Sequence, residues 1–251
     1  MISFNKEQIF LVTGASSGLG EGTALLLNEL GATVVGIARN EERLNGMKAK
    51  CKYPENMHLE IKDLTEDIEN LPQYVKELKN KYGKFSGLAY CAGISNVSPL
   101  QSLDFKYTKK MFDINYFAPV FLTKGFIDRR NNVGKDSSIV AISSIAAIKC
   151  DKGHASYSGA KAALSSSMKA IAREVASQGI RINCVLPSMI ATPMTLNPNI
   201  KDLDQNKINT NEYPFGWGEV SDVVNLIIYL LSNNAKFISG QNYVIDSGGV
   251  I

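Results

Sequence analysis

The sequence predicts a doubly wound α/β fold, in which helices cover both faces of a seven-stranded parallel sheet. Two observations predict it. Short apolar runs rich in β-branched residues alternate along the chain with longer segments whose apolar residues recur at helical spacing. The short runs are continuously apolar, which is typical of strands buried on both faces of a sheet. The 251 residues also fit one α/β domain, 1–251, without an internal repeat or a linker.

The elements follow in chain order from these two patterns. Strands are predicted at Ile9–Thr13, Ala32–Ala38, Met57–Lys62, Gly87–Cys91, Ser138–Ser143, Ile180–Leu186 and Gln241–Asp246. Helices are predicted at Gly18–Leu30, Glu41–Lys50, Asp67–Tyr82, Leu103–Arg130, Ala155–Ser177 and Ser221–Leu231. Gly31 suits a helix C-cap, and Pro119 predicts a bend inside the fourth helix. The polar segment Met194–Pro214 is too long for an ordinary connection, which is typical of a binding loop or lid, and a substrate loop is predicted at about 189–214.

Composition excludes several classes of protein. With 45% apolar residues and a formal charge of +3, the chain is neither disordered nor low-complexity. The small charge argues against a nucleic-acid binder. The N-terminus lacks a secretory signal and no apolar run reaches the length of a membrane span, so a cytoplasmic protein without a membrane partner is expected. The four cysteines match no metal-ligand spacing, which predicts reduced thiols and no metal site.

A glycine-rich turn joins the first strand to the first helix. Gly14 allows a tight turn, Gly18 lets the backbone approach a pyrophosphate, and Gly20 lets the helix pack closely on the sheet. The N-terminus of the helix adds free N–H groups and a positive dipole end. The alternative is a turn without a ligand, and the strand and helix on either side favour the phosphate site. The expected contacts are Gly14, Ser16, Ser17, Gly18, Leu19 and Gly20.

Candidate catalytic residues lie in the second half of the chain. Tyr157 and Lys161 are spaced i, i+4 on a predicted helix, so they share one face. An ammonium near a phenol lowers the pKa of the tyrosine and makes it a usable proton donor or acceptor. The pair alone is common on helices. However, Ser144 stands 13 residues before Tyr157, at a strand end where ligands bind in such sheets, and Asn115 lies in the preceding long helix.

These residues resemble a known family. The T-G-x-x-x-G-x-G turn and the set Asn115, Ser144, Tyr157 and Lys161 are similar to the motif and the Asn-Ser-Tyr-Lys tetrad of the short-chain dehydrogenases/reductases. The resemblance covers the whole chain, including the ending that runs from residue 238 to 249. It implies a Rossmann fold and an enzyme that interconverts a ketone or aldehyde and an alcohol by hydride transfer. Further cofactor contacts are implied at Arg39, Asp63, Leu64, Cys91, Ala92, Gly93, Tyr157, Lys161, Pro187, Ile190 and Thr192.

The resemblance also implies a role for each member of the tetrad. Ser144 would hydrogen-bond the substrate carbonyl oxygen, and Tyr157 would give it a proton as the hydride arrives. Lys161 would hold the ribose hydroxyls and bias the pKa of Tyr157, while Asn115 would hold a water that links Lys161 to solvent. Two departures from the family pattern, Cys91 in place of an asparagine and Ser188 in place of a glycine, remove no catalytic group.

The second strand bears on the choice of cofactor. NAD-preferring members usually carry an aspartate at its end, where this chain has Ala38 followed by Arg39. A guanidinium binds a 2′-phosphate with paired, charge-assisted hydrogen bonds, so NADP(H) is preferred and NAD(H) is possible. Ser16 and Ser17 stand where some NADP-dependent relatives carry a second basic residue, and Arg43 is a weaker candidate.

Substrate and partners are less defined. The pocket is expected at residues 94–96, 145–149 and 154 and at the substrate loop. The segment 172–177 resembles the 3-oxoacyl-carrier-protein reductases, but Gln178 stands where they usually carry a base that docks the acidic carrier. A non-catalytic cofactor-binding regulator and an enoyl reductase are alternatives, and the tetrad and the tight Tyr157–Lys161 spacing disfavour them. The resemblance also implies a small-molecule carbonyl or alcohol substrate and a homo-oligomer, either tetramer or dimer.

Overall fold

The computed structural model describes residues 2–195 and 213–249. Within them the strands are β1 Ile9–Thr13, β2 Thr33–Ala38, β3 Met57–Ile61, β4 Phe85–Tyr90, β5 Ser138–Ile142, β6 Arg181–Pro187 and β7 Asn242–Ile245. All pair in parallel, in the order β3-β2-β1-β4-β5-β6-β7. The predicted doubly wound α/β fold is confirmed. Because the order reverses between β1 and β4, the crevice for a ligand lies at their C-terminal ends.

Helices cover both faces of this sheet. They are α1 Gly18–Glu29, α2 Glu41–Lys48, α3 Leu71–Tyr82, α4 Phe105–Phe112, α5 Ala118–Phe126, α6 Ala146–Lys149, α7 Ala155–Val175 and α8 Val220–Leu231. The apolar sides of α3, α5 and α7 form one core layer, and those of α1, α2 and α8 form the other. Alternate residues of β1 serve the two layers, Leu11 on one side and Phe10 on the other. This two-sided burial is why the strands read as continuous apolar runs.

The predicted long helix from Leu103 to Arg130 is interrupted. After α4 the chain makes a π-helical turn, Asp113–Phe117, before α5 begins. Pro119 has no N–H to donate to the carbonyl of Asn115 four residues earlier, so a regular α-helix cannot continue there. The wider turn is the form that the predicted bend takes, and it contains Asn115.

Other element ends differ from the predictions by a few residues. The helix predicted from Asp67 begins at Leu71, because Pro72 occupies its first turn, where the missing N–H costs nothing. The sequence did not predict the short helix α6, since four residues are too few to show a helical periodicity of apolar residues. All four cysteines are free thiols. In the part of the chain that the structure describes, no helix has the length and apolarity that a membrane crossing requires.

Candidate active site

The C-terminal ends of β1 and β4 are joined through one hydroxyl. Thr13 Oγ1 accepts hydrogen bonds from the main-chain N–H groups of Cys91 and Ala92, both at 3.1 Å. Thr13 ends β1 and begins the glycine-rich turn, so this contact fixes the turn beside the loop that follows β4. Sequence reasoning gave Thr13 no role, although its position at the start of the motif was the available signal.

The turn itself leaves room that only glycine can leave. Gly14 has a φ of +69°, and a Cβ on it would lie 3.0 Å from the main-chain nitrogen of Ala92. A Cβ on Gly20 would overlap the carbonyl oxygen of Gly14. The side chain of Ser17, which precedes α1, makes no capping hydrogen bond. The first N–H groups of α1 therefore lie at a close-packed crevice, an arrangement that fits the pyrophosphate of a dinucleotide.

Serine, tyrosine and lysine meet at the end of β5. Ser144 follows β5, while Tyr157 and Lys161 lie one turn apart in α7. The Ser144 side chain interacts with the Tyr157 hydroxyl and favours its ionised form. Lys161 Nζ lies 5.8 Å from the centre of the Tyr157 ring and donates a 2.8 Å hydrogen bond to the carbonyl of Ile142. Two hydroxyls and one ammonium thus share the edge of the sheet where the crevice opens.

Asn115 completes this group from the π-helical turn. Its side chain is fully buried, and Nδ2 donates at 2.9 Å to the carbonyl of Ile94. Its Oδ1 accepts no hydrogen bond from the described residues. A Cβ on Gly93 would lie 2.7 Å from this oxygen and 3.5 Å from Lys161 Nζ. The amide oxygen and the ammonium therefore border the same small space, which the absence of a side chain at Gly93 keeps open.

Burial dominates the electrostatics of the pair on α7. It lowers the pKa of Lys161 to about 8, because an ammonium loses hydration in the interior. Burial also raises the pKa of Tyr157, and the interaction with Ser144 offsets this rise only in part. The prediction of a lowered pKa for Tyr157 is therefore wrong for this structure, because burial of its hydroxyl outweighs the interactions that favour the phenolate.

Two predicted cofactor residues contact each other at the far end of the crevice. Arg39 Nη1 lies 3.4 Å from Asp63 Oδ2, and the Arg39 side chain is 61% exposed. The other oxygen of Asp63 accepts from the Thr65 main-chain N–H at 2.9 Å and from its hydroxyl at 2.7 Å. Burial opposes ionisation of Asp63, but the bonds from Thr65 and the Arg39 charge together lower its pKa. Asp63 is thus a fixed anion beside a mostly exposed guanidinium.

The remaining predicted contacts lie along the same edge of the sheet. Pro187 ends β6, and the side chain of Thr192 lies within 3.5 Å of the position that a Cβ on Gly18 would take. Burial raises the pKa of the Cys91 thiol to about 12, so this thiol stays protonated. Leu64 and Ile190 are buried, and residues 91–93 follow β4. Residues 196–212 of the predicted substrate loop lie outside the described residues.

His154 stands just before α7, next to Tyr157. The two rings lie 6.2 Å apart, centre to centre. Its Nδ1 is buried and has no hydrogen-bond partner in the described part of the chain. The main-chain carbonyl of the preceding Gly153 accepts a 2.8 Å hydrogen bond from the N–H of Ser98. The loop after β4 and the loop before α7 thus hold each other at this position.

Comparison with known proteins agrees with this geometry. Residues 14–249 match a family model described as enoyl-(acyl carrier protein) reductase. L-xylulose reductase of Caenorhabditis elegans is 32% identical over 243 residues, which cover 95% of this chain and 94% of that protein. The 3-oxoacyl-[acyl-carrier-protein] reductase FabG of Rickettsia felis is 33% identical over 241 residues, covering 95% of both chains.

Solved structures give the same result. A short-chain dehydrogenase/reductase, glucose/ribitol dehydrogenase, from Brucella melitensis superposes with a TM-score of 0.90 at 26% identity, and all of both chains is covered. A short-chain type dehydrogenase/reductase from Mycobacterium ulcerans gives 0.88 at 28% identity, covering 99% of this chain and 91% of that one. The chain belongs to the short-chain dehydrogenase/reductase family of oxidoreductases, which act on CH–OH and carbonyl groups with NAD(P)(H).

Proposed function

We propose that this enzyme interconverts a ketone or aldehyde and an alcohol with NADP(H), and that Tyr157 is the proton donor and acceptor. The observation that carries the proposal is that the Ser144 and Tyr157 side chains meet just after β5, beside the buried ammonium of Lys161. This arrangement presents two hydroxyls to one substrate oxygen at the C-terminal edge of the sheet. It suits a reaction in which that oxygen gains or loses a proton.

Each residue of the site has a separate role in carbonyl reduction. Ser144 donates a hydrogen bond to the substrate oxygen and polarises the C=O bond. The bound nicotinamide supplies the hydride that the carbonyl carbon accepts. The Tyr157 hydroxyl gives its proton to the oxygen, so the carbonyl becomes an alcohol and Tyr157 becomes a phenolate. The Lys161 ammonium stabilises that phenolate, and the open space between Asn115 Oδ1 and Lys161 Nζ suits a water that returns the proton.

The electrostatics favour this direction of proton transfer. Because burial raises the pKa of Tyr157, its hydroxyl is protonated at neutral pH and ready to donate. Lys161, with a pKa of about 8, is mostly charged at the same pH. A neutral phenol beside an ammonium is the pair that a carbonyl reduction requires. Alcohol oxidation needs the phenolate and is expected to gain as the pH rises.

Arg39 supports NADP(H) as the cofactor. Its guanidinium is largely exposed at the C-terminal end of β2 and makes one 3.4 Å contact with Asp63, so its other N–H groups remain for a phosphate. Glu41 and Glu42 border the same cavity as Arg39 and add negative charge there. Because carboxylates repel a 2′-phosphate, NAD(H) remains the second candidate. A comparison of kcat/KM with the two cofactors decides between them.

Two substrate classes have support from relatives. The curated relatives include reductases of L-xylulose and of D-erythrulose and 3-oxoacyl-carrier-protein reductases. The segment 172–177 favours the acyl class, whereas the neutral amide of Gln178 stands where those enzymes usually carry a base. A small free carbonyl compound is therefore the first choice. Enoyl reduction, although the family model carries that name, is disfavoured by the tight spacing of Tyr157 and Lys161.

A substrate panel tests the proposal. NADPH and NADH oxidation is followed with sugar ketones, simple ketones, a 3-oxoacyl thioester and an enoyl thioester. We expect turnover of at least one carbonyl compound and its loss, by about a thousandfold or more, in Tyr157→Phe. Tyr229→Phe is the matched control, because that tyrosine lies in α8, on the opposite face of the sheet from α7. Cofactor binding without turnover on any carbonyl would favour a regulator, and full activity in Tyr157→Phe would overturn the mechanism.

A further inference from the structure

Three consecutive residues at the end of β5 contact the two residues of α7 that carry the proposed proton chemistry. The carbonyl of Ile142 accepts the Lys161 ammonium at 2.8 Å. The hydroxyl of Ser143 donates to the main-chain carbonyl of Lys161 at 3.0 Å. The Ser144 side chain interacts with the Tyr157 hydroxyl. The proposed mechanism gives Ser144 a role but gives none to Ser143.

The direction of the Ser143 hydrogen bond is set by its neighbours. Ser143 is 2% exposed, and its main-chain N–H donates to the carbonyl of Val185 on β6 at 2.8 Å. The hydroxyl of Ser165 donates to Ser143 Oγ at 2.8 Å. A hydroxyl has one proton, so Ser143 accepts from Ser165 and donates to Lys161. The result is a buried chain of hydroxyls between the sheet and α7.

The acceptor at the end of this chain is part of the helix. The carbonyl of Lys161 lies in the interior of α7, where it is the acceptor for the N–H of residue 165 in a regular helix. The Ser143 hydroxyl is a second donor on the same oxygen. The ammonium and the carbonyl of Lys161 are therefore attached to two adjacent residues, Ile142 at the end of β5 and Ser143 just after it. A residue tied at two points in this way has little freedom to move its ammonium.

We propose that Ser143 is a positioning residue, which holds the Lys161 turn of α7 against the end of β5 and so keeps the ammonium buried beside Tyr157. The proposal rests on the proposed function, in which that ammonium stabilises the phenolate. Ser143 reaches neither the substrate oxygen nor the Tyr157 hydroxyl by any contact described above. Its effect passes through Lys161, whose burial lowers its pKa to about 8. A looser turn admits water to the ammonium and raises that pKa.

The experiment measures Lys161 directly, without substrate or cofactor. The protein is labelled with carbon-13 at lysine Cε, and the Lys161 signal, identified by its loss in Lys161→Arg, is titrated by NMR. In Ser143→Ala we expect the pKa of Lys161 to rise by about one unit, the size expected for a lost buried hydrogen bond. Ser143→Thr retains the hydroxyl and should titrate as wild type. Ser143→Cys fills the site with a weak donor and replaces Ser143→Ala if that variant is too unstable.

Ser165→Ala is the matched control. It removes a buried hydroxyl from the same chain but leaves the Ser143–Lys161 bond in place, so stability should fall while the Lys161 titration stays unchanged. An unchanged titration in the folded Ser143→Ala or Ser143→Cys protein would overturn the proposal. An equal shift in Ser165→Ala would overturn it too, since the effect would then be general loosening. Failure of the proposed function is a separate result, namely the absence of carbonyl turnover in the wild-type enzyme.

Discussion

Arg39 lies against Asp63 with one guanidinium nitrogen 3.4 Å from one carboxylate oxygen, and it remains mostly exposed. The other oxygen of Asp63 is held by Thr65, so the carboxylate cannot rotate freely towards the arginine. A single, long contact positions the guanidinium without neutralising all of its donors. This relationship leads to the first prediction.

Arg39→Ala is expected to lower kcat/KM with NADPH by about 10- to 100-fold and to change it little with NADH, because the 2′-phosphate loses charge-assisted hydrogen bonds. Steady-state kinetics with both cofactors measure the effect. Arg130→Ala, which removes an arginine paired with Asp128 elsewhere on the surface, serves as the control. Equal decreases in kcat/KM with both cofactors would mean that Arg39 does not bind the 2′-phosphate.

Carbonyl reduction is expected to weaken above about pH 8. Burial lowers the pKa of Lys161 to about 8, so its positive charge is lost as the pH rises through that value. The fall in kcat/KM should approach tenfold per pH unit above it. In Lys161→Arg the guanidinium stays charged, so the residual kcat/KM should not fall above pH 8. The exposed Lys169→Arg should keep the wild-type profile. A profile that is flat up to pH 10 in the wild type would contradict the assignment.

Gly20→Ala is expected to abolish NADPH binding and to lower stability, because its Cβ would overlap the carbonyl oxygen of Gly14. Thermal unfolding with and without NADPH measures both effects. Gly46→Ala is the matched control, since a Cβ there meets no atom within 4 Å in a helix interior. That change should stabilise the protein by about 0.5–1 kcal/mol. NADPH-dependent stabilisation of Gly20→Ala would refute the role of the turn.

Arg181 stabilises the end of α8 from the buried strand β6. It is 6% exposed, and its guanidinium donates to the carbonyls of Leu230 at 2.7 Å and Ser232 at 3.0 Å. Arg181→Ala leaves both carbonyls without this donor and should cost about 2–4 kcal/mol in the free energy of unfolding by urea. The exposed Arg173→Ala should change it by less than about 0.5 kcal/mol. Similar losses in the two variants would argue against the buried hydrogen bonds as the cause.

Exposed aromatic side chains suggest where copies of the chain associate. Phe105 at the start of α4 is 82% exposed, and Phe117 in the π-helical turn is 40% exposed. A homo-oligomer built on these helices would cover them. Sedimentation equilibrium of the double variant Phe105→Ser/Phe117→Ser should show a smaller assembly than wild type. Phe215→Ser, at an exposed position outside these helices, should not change the mass. A monomeric wild-type protein would contradict this prediction.

The sequence predicted most strands well because β1, β2, β4, β5 and β6 are buried on both faces, which leaves a continuous apolar signal. The i, i+4 spacing likewise predicted that Tyr157 and Lys161 share a face. Sequence spacing cannot predict which group a long side chain will hydrogen-bond or pair with. The bond from Lys161 to the carbonyl of Ile142 and the pairing of Arg39 with Asp63 depend on tertiary packing. For the same reason the pKa of Tyr157 was predicted with the wrong sign, since its burial is a property of the fold.

The interruption at Pro119 also decouples two helices. Each residue in an α-helix is rotated by about 100° from the one before it. In an uninterrupted helix, the direction in which the apolar side of α4 points would therefore determine the direction for α5. The wider turn at Asp113–Phe117 breaks this phase relationship. α4 can therefore orient its apolar side towards α7 while α5 independently orients its own towards α3. Because of one proline, the two halves of this helical stretch can pack against different neighbouring helices.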